Sequence, residues 1–474
     1  MPTPSAGTGT RAARIARRIE AEIIRRGWPI GTSLGSEQLL QQRYRVSRPV
    51  LREAVRLVEH HQVARMRRGP HGGLFVTEPD AGPATRAMVI YLEHVGTSIG
   101  ELLEARLLLE PLASALAADR VDEAGIVRLR GLLDSDRPRP ARDELHVVLA
   151  ELTGNPVLAL FVDVLTRLTA RYAAGAEAQP PQRIAAATER LADDHTAIVA
   201  AVAAGDTARA MTLTRGHVEI VSEWLERYCR PGGADRAGPV ADGAPTPHTK
   251  RAEALAAAIH AEIASAGWCS GTVFGTEAEL LERYGVSRSV LREAVRLLEY
   301  HTVARMRRGP GGGLVVTEPS PDASVDTIAL YLQYRRPSRA DLRLVRDAIE
   351  IANVERLVSR RGEHRVAAFL DEHRHPSGTG EEAGGADRAG QAEIAFHHEM
   401  AALAGNTVLD VFLRIISELH GRQWDPGARP PPGADDVEAM LHAHSRIAEA
   451  ISDGDLSMAQ HRSRRHLAAL STWW

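Results

Sequence analysis

Apolar residues recur at helical spacing along most of this chain, and the exceptions are as informative as the rule. In Arg11–Gly27, Ile15, Ile19 and Ile23 mark one face of a helix that Gly27 and Pro29 end. Glu37–Tyr44 predicts a short helix with Leu39 and Leu40 turned inward, and Arg45-Val46 a tight turn. Ser47 stands where its side-chain oxygen can cap the next helix, predicted from about Pro49 to Glu59. Val50, Leu51, Ala54, Val55 and Val58 form its inner stripe, leaving Arg48, Arg52 and Arg56 outside. The period then changes from helix to strand. Val63–Arg67 and Leu74–Thr77 alternate across Gly69-Pro70-His71-Gly72-Gly73, which predicts a hairpin with a glycine-rich tip. Beyond it only helical spacing remains.

The same pattern occurs twice. Arg45–Pro79 and Gly285–Pro319 agree at 28 of 35 positions with a constant offset of 240. Thr276 and Glu279 add the spacing of a capping box in the second copy. Fainter echoes follow each copy: Leu102–Glu110 with Leu342–Glu350, His146 and Gly154-Asn155 with His397 and Gly405-Asn406, His195 with His444, and His217 with His466. Pro231–Pro247 is rich in Pro, Gly and Ala without apolar periodicity and reads as a linker, and His375–Gly390 as a mobile loop. The expected organisation is mainly α. Winged helix-turn-helix domains at 1–80 and 248–320 are followed by all-α helical-bundle effector domains at 84–230 and 324–474, with the linker at 231–247.

Composition narrows the class. In 474 residues, 44% are hydrophobic and 25% charged, which excludes a disordered chain. With no hydrophobic signal core or apolar run of membrane length, the expected location is the cytoplasm, with no membrane partner. Cys229 and Cys269 are too few for a disulfide framework. The net charge of −3 is unevenly spread: residues 1–79 carry +8 and residues 248–319 carry +1, so the remainder is acidic. Basic segments on an acidic body point to a polyanion that meets those segments alone.

Two short helices, a tight turn, an Arg-bearing second helix and a hairpin are the plan of a winged helix-turn-helix. Its second helix enters the major groove, where an arginine fork matches guanine O6 and N7, and glycines let the wing backbone approach phosphate. The runs VSRPVLREAVRLVE and VSRSVLREAVRLLE, followed by RMRRGPHGGLFV and RMRRGPGGGLVV, resemble the winged-helix domain of the GntR family of bacterial regulators. The acidic modules resemble that family's FadR-type (FCD) effector domain. The resemblance implies DNA contacts by Arg48, Pro49 and Arg52 and by Arg288, Ser289 and Arg292, with Ser47 and Ser287 at the helix starts, and wing contacts by Arg68, Gly69, Arg308 and Gly309. Gln38 and Ala278 stand where the family often has Arg, which weakens one contact per module.

Histidines carry the chemistry of the effector modules. Glu393 and His397 are four apart on one helix face, and His444 and His466 follow on later helices. Three imidazoles and a carboxylate suit a divalent ion of the Zn or Ni type. The resemblance implies such a site, since FCD domains commonly hold a metal through Asp-x3-His and two later histidines. In the first module His146, His195 and His217 align, but Arg142 takes the carboxylate position and Asp143 is one residue late. That module has either a three-His site or none. Arg106 and Arg346 are candidates for an effector carboxylate, or partners of Glu110 and Glu350 at i+4.

These features predict a sequence-specific transcriptional regulator that binds double-stranded DNA and answers to a small metabolite, a carboxylate by preference. A metal-dependent enzyme and an architectural DNA-binding protein are the alternatives, and neither H-E-x-x-H nor a P-loop is present. The duplication predicts an intramolecular pseudo-dimer, with higher assembly left open, and unequal half-sites, because Pro49 faces Ser289 and His71 faces Gly311.

Overall fold

The computed structural model describes residues 11–67, 69, 72–133, 144–174, 181–228, 247–307, 309, 311–319, 321–374, 386–423 and 434–470. The first half contributes α1 (Arg11–Arg25), α2 (Glu37–Tyr44), α3 (Arg48–His60), β1 (Ala64–Arg67), β2 (Gly73–Val76), α4 (Gly82–His94), α5 (Ile99–Arg120), α6 (Glu123–Leu132), α7 (Leu145–Leu152), α8 (Pro156–Ala174), α9 (Pro181–Ala203) and α10 (Thr207–Tyr228). The second contributes α11 (Pro247–Ser265), β3 (Val273–Gly275), α12 (Glu277–Tyr284), α13 (Arg288–Tyr300), β4 (Ala304–Arg307), β5 (Gly313–Val316), α14 (Pro321–Arg335), α15 (Arg339–Arg360), α16 (His364–Arg374), α17 (Ala386–Ala404), α18 (Thr407–Gln423), α19 (Ala434–Ser452) and α20 (Leu456–Leu470).

The described residues form two compact units that cut across the order of the halves. One takes those within Met1–Ile90, Ala241–Ala256 and Ser270–Arg336; the other takes those within Tyr91–Val240, Ala257–Cys269 and Pro337–Trp474. Helices α1–α3 and α12–α14 and both hairpins lie in the first unit, α5–α10 and α15–α20 lie in the second, and α4 and α11 are divided between them.

In the first unit, Ile15, Ile19, Ile23, Leu40, Leu51, Ala54, Val58 and Leu74 form a buried core. Leu330 of α14, from the other half of the sequence, completes it. Tyr334 of the same helix packs edge-on against Trp28, with ring centroids 5.2 Å apart, and donates to Glu78 Oε1 at 2.8 Å. Ser324 of α14 donates to the Ala87 carbonyl of α4 at 3.2 Å. β1 and β2 pair antiparallel from Ala64↔Val76 to Arg67↔Gly73, and the second wing gains a third strand in the order β3-β5-β4. Gly313 is required there: at φ +153 it passes the Gly275 carbonyl so closely that a Cβ would sit 2.6 Å from that oxygen.

Three expectations need correction. Leu39 is 45% exposed while Leu40 is buried, because the inward face of α2 runs through Leu40 and Tyr44, four residues apart. Ser47 occupies the N-cap of α3 without a side-chain cap bond, with Pro49 in the first turn. Ser287, with Ser289 in that place, accepts from the Val290 N–H at 3.4 Å. Of the expected loop His375–Gly390, residues from Ala386 onward belong to α17, and the rest lies outside the described residues, as does 231–246 of the linker. The capping box forms as the spacing predicts, with Glu279 N–H donating to Thr276 Oγ1 at 3.3 Å and Thr276 N–H to Glu279 Oε2 at 2.8 Å.

In the second unit each effector half has its own core: Ala117, Leu129, Val148, Ile198 and Val202 in one, Val354, Phe369, Phe396 and Ile447 in the other. The halves meet through related residues. Phe161 of α8 and Phe412 of α18 stack with centroids 3.8 Å apart and planes 11° from parallel. Asn155 Nδ2 donates to the Asp341 carbonyl and Asn406 Nδ2 to the Glu101 carbonyl, both at 3.0 Å. Among the described residues no helix is long and apolar enough to cross a membrane.

Candidate DNA-reading helices and metal centres

The start of α3 presents Arg48, Pro49 and Arg52 exposed, and the start of α13 presents Arg288, Ser289 and Arg292 likewise. In the first module Glu37, at the opening of α2, holds both arginines: Arg48 Nε lies 3.1 Å and Arg52 Nε 2.7 Å from its Oε1. Those hydrogen bonds keep the Glu37 carboxyl below its ordinary range. In the second module Arg288 Nε stands 3.7 Å from Glu277 Oε1, and Ser289 Oγ lies 2.9 Å from Ser287 Oγ. Arg56 of α3 has its pKa lowered by partial burial and by the charge of Arg296 of α13. At the wing tips Gly69 and Gly309 adopt φ +114 and +99, while Arg68 and Arg308 lie outside the described residues.

In the second effector half α17, α19 and α20 bring Glu393, His397, His444 and His466 together, all buried, with one ligand atom from each within 4.8 Å of the others. Glu393 Oε1 is 2.8 Å from His397 Nε2 and 3.2 Å from His466 Nε2, and its Oε2 is 2.9 Å from His444 Nε2. His466 Nε2 lies 3.2 Å from Nε2 of both other histidines. The ring of Phe396 stacks on His444 at 3.8 Å and holds its plane. Glu350 of α15 pairs with His397 Nδ1, and Arg346 Nε donates to Glu350 at 2.6 Å.

Burial and close pairing compete in this cage. Burial alone would raise Glu393, yet His397 and the two other imidazoles hold it far below the carboxylate range. Burial would lower His397, but Glu350 and Glu393 push it up to about 9. His444 is pushed down to about 4, chiefly by burial. Three imidazole nitrogens and a carboxylate converge on one point. Nitrogen and oxygen donors in this arrangement fit a Zn- or Ni-type ion, and Glu350 behind His397 would fix that ligand's orientation.

In the first effector half α7, α9 and α10 gather His146, His195 and His217, also buried and within 4.8 Å. His195 Nε2 lies 3.3 Å from His217 Nε2. Glu110 Oε2 is 2.8 Å from His146 Nδ1, and Asp194 Oδ2 is 3.4 Å from His217 Nδ1. Burial, helped by His146 and His195, depresses His217 to about 2. Arg142 and Asp143 lie outside the described residues.

Arg106 and Arg346 are both buried and engaged. Arg106 gives Nε and Nη2 to the two oxygens of Glu110, at 2.5 and 3.1 Å, and Nη1 to Thr169 at 3.3 Å. Arg346 also brings Nη2 to 3.8 Å from Glu393. Sequence reasoning missed Asp194 behind His217, Glu37 beneath the two arginines, and a buried trio of Glu93, Arg171 and His260 in the second unit. The trio left no signal, because its members come from three distant segments.

Comparison with known proteins gives matching assignments. The model of bacterial regulatory proteins of the gntR family matches residues 11–76 and 251–314, and the FCD domain model matches residues 101–220 and 341–469. The HTH-type transcriptional regulator LutR of Bacillus subtilis is 26% identical over 206 residues, spanning 42% of this chain and 93% of its own length. The Uxu operon regulator of Haemophilus influenzae is 28% identical over 156 residues, 31% of this chain and 55% of its own. Among solved structures, a GntR protein of Streptococcus agalactiae is similar at 20% identity with a TM-score of 0.32, covering 45% of this chain and 99% of that one.

Proposed function

The chain belongs to the GntR family of bacterial regulatory proteins and carries two FCD domains, and from that premise we propose that one chain does the work of a regulator dimer. It is a DNA-binding transcriptional regulator. The observation that carries the finer reading is the pairing of the halves: α3 and α13 lie in one compact unit, and within the other the effector halves are joined by the reciprocal Asn155–Asp341 and Asn406–Glu101 bonds. A two-fold operator asks for two recognition helices, and α3 and α13 supply both within one chain. LutR, matched over 93% of its length by 42% of this chain, supports reading each half as one regulator's worth of structure.

DNA is read by Arg48, Pro49 and Arg52 together with Arg288, Ser289 and Arg292, with Ser47 and Ser287 at the helix starts and Arg68, Gly69, Arg308 and Gly309 on the wings. Glu393, His397, His444 and His466 would hold a divalent metal, and His146, His195 and His217 a second one. When bound, such an ion supplies a Lewis-acidic point for the oxygens of a small carboxylate effector. Arg346 lends positive charge beside the second centre, and Phe396 keeps the His444 ring in plane. Effector binding would bias the arrangement of the winged modules by its differential affinity for two states.

Sedimentation of the full chain on an isolated operator tests the stoichiometry, with one chain per DNA expected. A complex of two chains at stoichiometric concentrations removes the pseudo-dimer reading. A thermal-shift screen of small carboxylates with and without Zn²⁺ or Ni²⁺ tests the effector class, since a ligand bound only by the folded state raises its stability by mass action.

A further inference from the structure

The difference in charge between the two winged modules is localised. Residues 1–79 hold fourteen basic residues and residues 248–319 nine. Every arginine from Arg48 to Arg68 has its counterpart at the offset of 240, so the recognition helices and hairpins are matched. The surplus lies in α1 and in the turn before α3. Arg14, Arg17, Arg18, Arg25, Arg26 and Arg45 stand against Ala254, Ala257, Ala258, Ser265, Ala266 and Gly285, and Lys250 against Thr10 returns one charge.

Most of that surplus forms one surface. Helix α1 turns Ile15, Ile19 and Ile23 into the core. On the opposite face Arg14, Arg18 and Arg25 fall within about 40° of one another, with Arg11 at one edge and Arg17 at the other. All five are exposed. The Arg11 edge adjoins the turn that opens the recognition helix: Arg11 Nη2 donates to the Arg45 carbonyl at 3.3 Å, and Arg18 lies over the Tyr44 ring, 5.3 Å from its centroid. Both carboxylates of α1 are engaged elsewhere, Glu20 with His61 and Glu22 with Arg26, Arg43 and Tyr44. The positive charge of Arg14 and Arg17 is therefore left to solvent or to a partner. Arg45 is itself exposed, at φ 52, in a region that disfavours a side chain and that Gly285 fills in the other module. Strain of this kind points to a use for the side chain.

A row of guanidinium groups on one helix face, continuous with the exposed start of α3, fits a row of phosphates. We propose that the arginine face of α1, together with Arg45, is a second DNA-contacting surface of the first winged module. It grips the phosphate backbone beside that module's half-site, and the second module, with alanines on the same face, has no equivalent. The occupant is the duplex that α3 reads, because the face runs up to the start of that helix. Such contacts fix position and carry no sequence information, so the first module anchors the chain while both recognition helices read bases. This rests on the reading that α3 faces the operator.

Salt titrations of the full chain test it, read by fluorescence anisotropy on a duplex that the chain itself selects from a random-sequence pool. Arg14→Ala and Arg17→Ala together should lower the slope of log affinity against log salt by about two, since each phosphate contact contributes about 0.9. Arg45→Gly should lower it by about one, and neither variant should change the selected sequence. Ala254→Arg, at an exposed position of α11, should raise the slope by about one, which tests the face without removing any native side chain. Hydroxyl-radical footprints of the double variant should lose protection beside one half-site only. An unchanged slope in the double variant, with Arg52→Ala still weakening binding, would overturn the inference and leave α3 as the reading helix. If Arg52→Ala is silent as well, the reading of α3 falls and the inference with it. Binding to phosphatidylglycerol vesicles that the double variant loses, while its DNA slope stays the same, would assign the face to a lipid surface and overturn the inference too.

Discussion

Arg45 ends α2 in the left-handed region, at φ 52, where its counterpart in the other half is Gly285 at φ 61. A side chain there crowds the following carbonyl at a cost of about 1–2 kcal/mol, partly offset by the unfolded freedom that glycine would add. Arg45→Gly should therefore stabilise the first winged module by about 0.5–1 kcal/mol. The bond from Arg11 to the Arg45 carbonyl is untouched by the change. Thermal unfolding of the two proteins side by side checks this, and an unchanged or lower midpoint counts against it. A second residue-scale prediction concerns Glu93, which burial raises to about 7 although Arg171 pulls it down. Its raised pKa means the folded chain keeps a proton that the unfolded chain releases above about 4.5, so its contribution falls as pH rises from there to about 7. His260, pushed down to about 3 by burial and Arg171, acts oppositely: its contribution grows with pH from about 3 to about 6.5. The two slopes oppose each other between about 4.5 and 6.5, and only that of Glu93 remains just above. Arg171→Leu leaves the Glu93 charge buried without its partner and should cost about 3–5 kcal/mol at pH 8, less near pH 5 where Glu93 takes a proton. Denaturant titrations at the two pH values measure the difference, and a loss independent of pH would sink the assignment.

At the scale of the element, α3 and α13 are near copies whose openings differ. Both recognition helices expose their arginines at the N-terminal end, but Glu37 gathers Arg48 and Arg52 while Glu277 stands 3.7 Å from Arg288 alone. With +8 on residues 1–79 against +1 on residues 248–319, the first module is expected to contribute more of the salt-dependent affinity. Arg52→Ala should then weaken operator binding about tenfold and lower the salt slope by about one, with a smaller effect from Arg292→Ala. Gel-shift titrations at several salt concentrations measure both; equal losses would contradict the asymmetry. Most of this level was legible in the sequence. The helix spans, the hairpins and the Thr276 box follow from apolar period and capping chemistry, which act over three or four residues. Leu39 departs from its expected burial because adjacent leucines point about 100° apart around the helix.

At the scale of the molecule, the order of modules along the chain is not their grouping in space. Helix α14 closes a core begun by α1, Phe161 meets Phe412, and Asn155 and Asn406 each cap their own helix while donating to the other half. Asn155 Oδ1 accepts from the Val157 N–H at 3.0 Å, so a single side chain serves both ends. The repeated Gly-Asn marked these positions as copies of one another, but not what they touch.

By itself the sequence determined the duplication, the helix spans that carry the exposed arginines, and which histidines and which glutamate of the second half come together, because each of these is written in local spacing or in the similarity of one half to the other. Tertiary structure alone decided which carboxylate stands in a centre and which stands behind it. It also decided that Arg106 and Arg346 are bound to Glu110 and Glu350, and that α3 and α13 share a unit. Those outcomes depend on where separate helices come to rest, and no spacing within one helix records the distance to another.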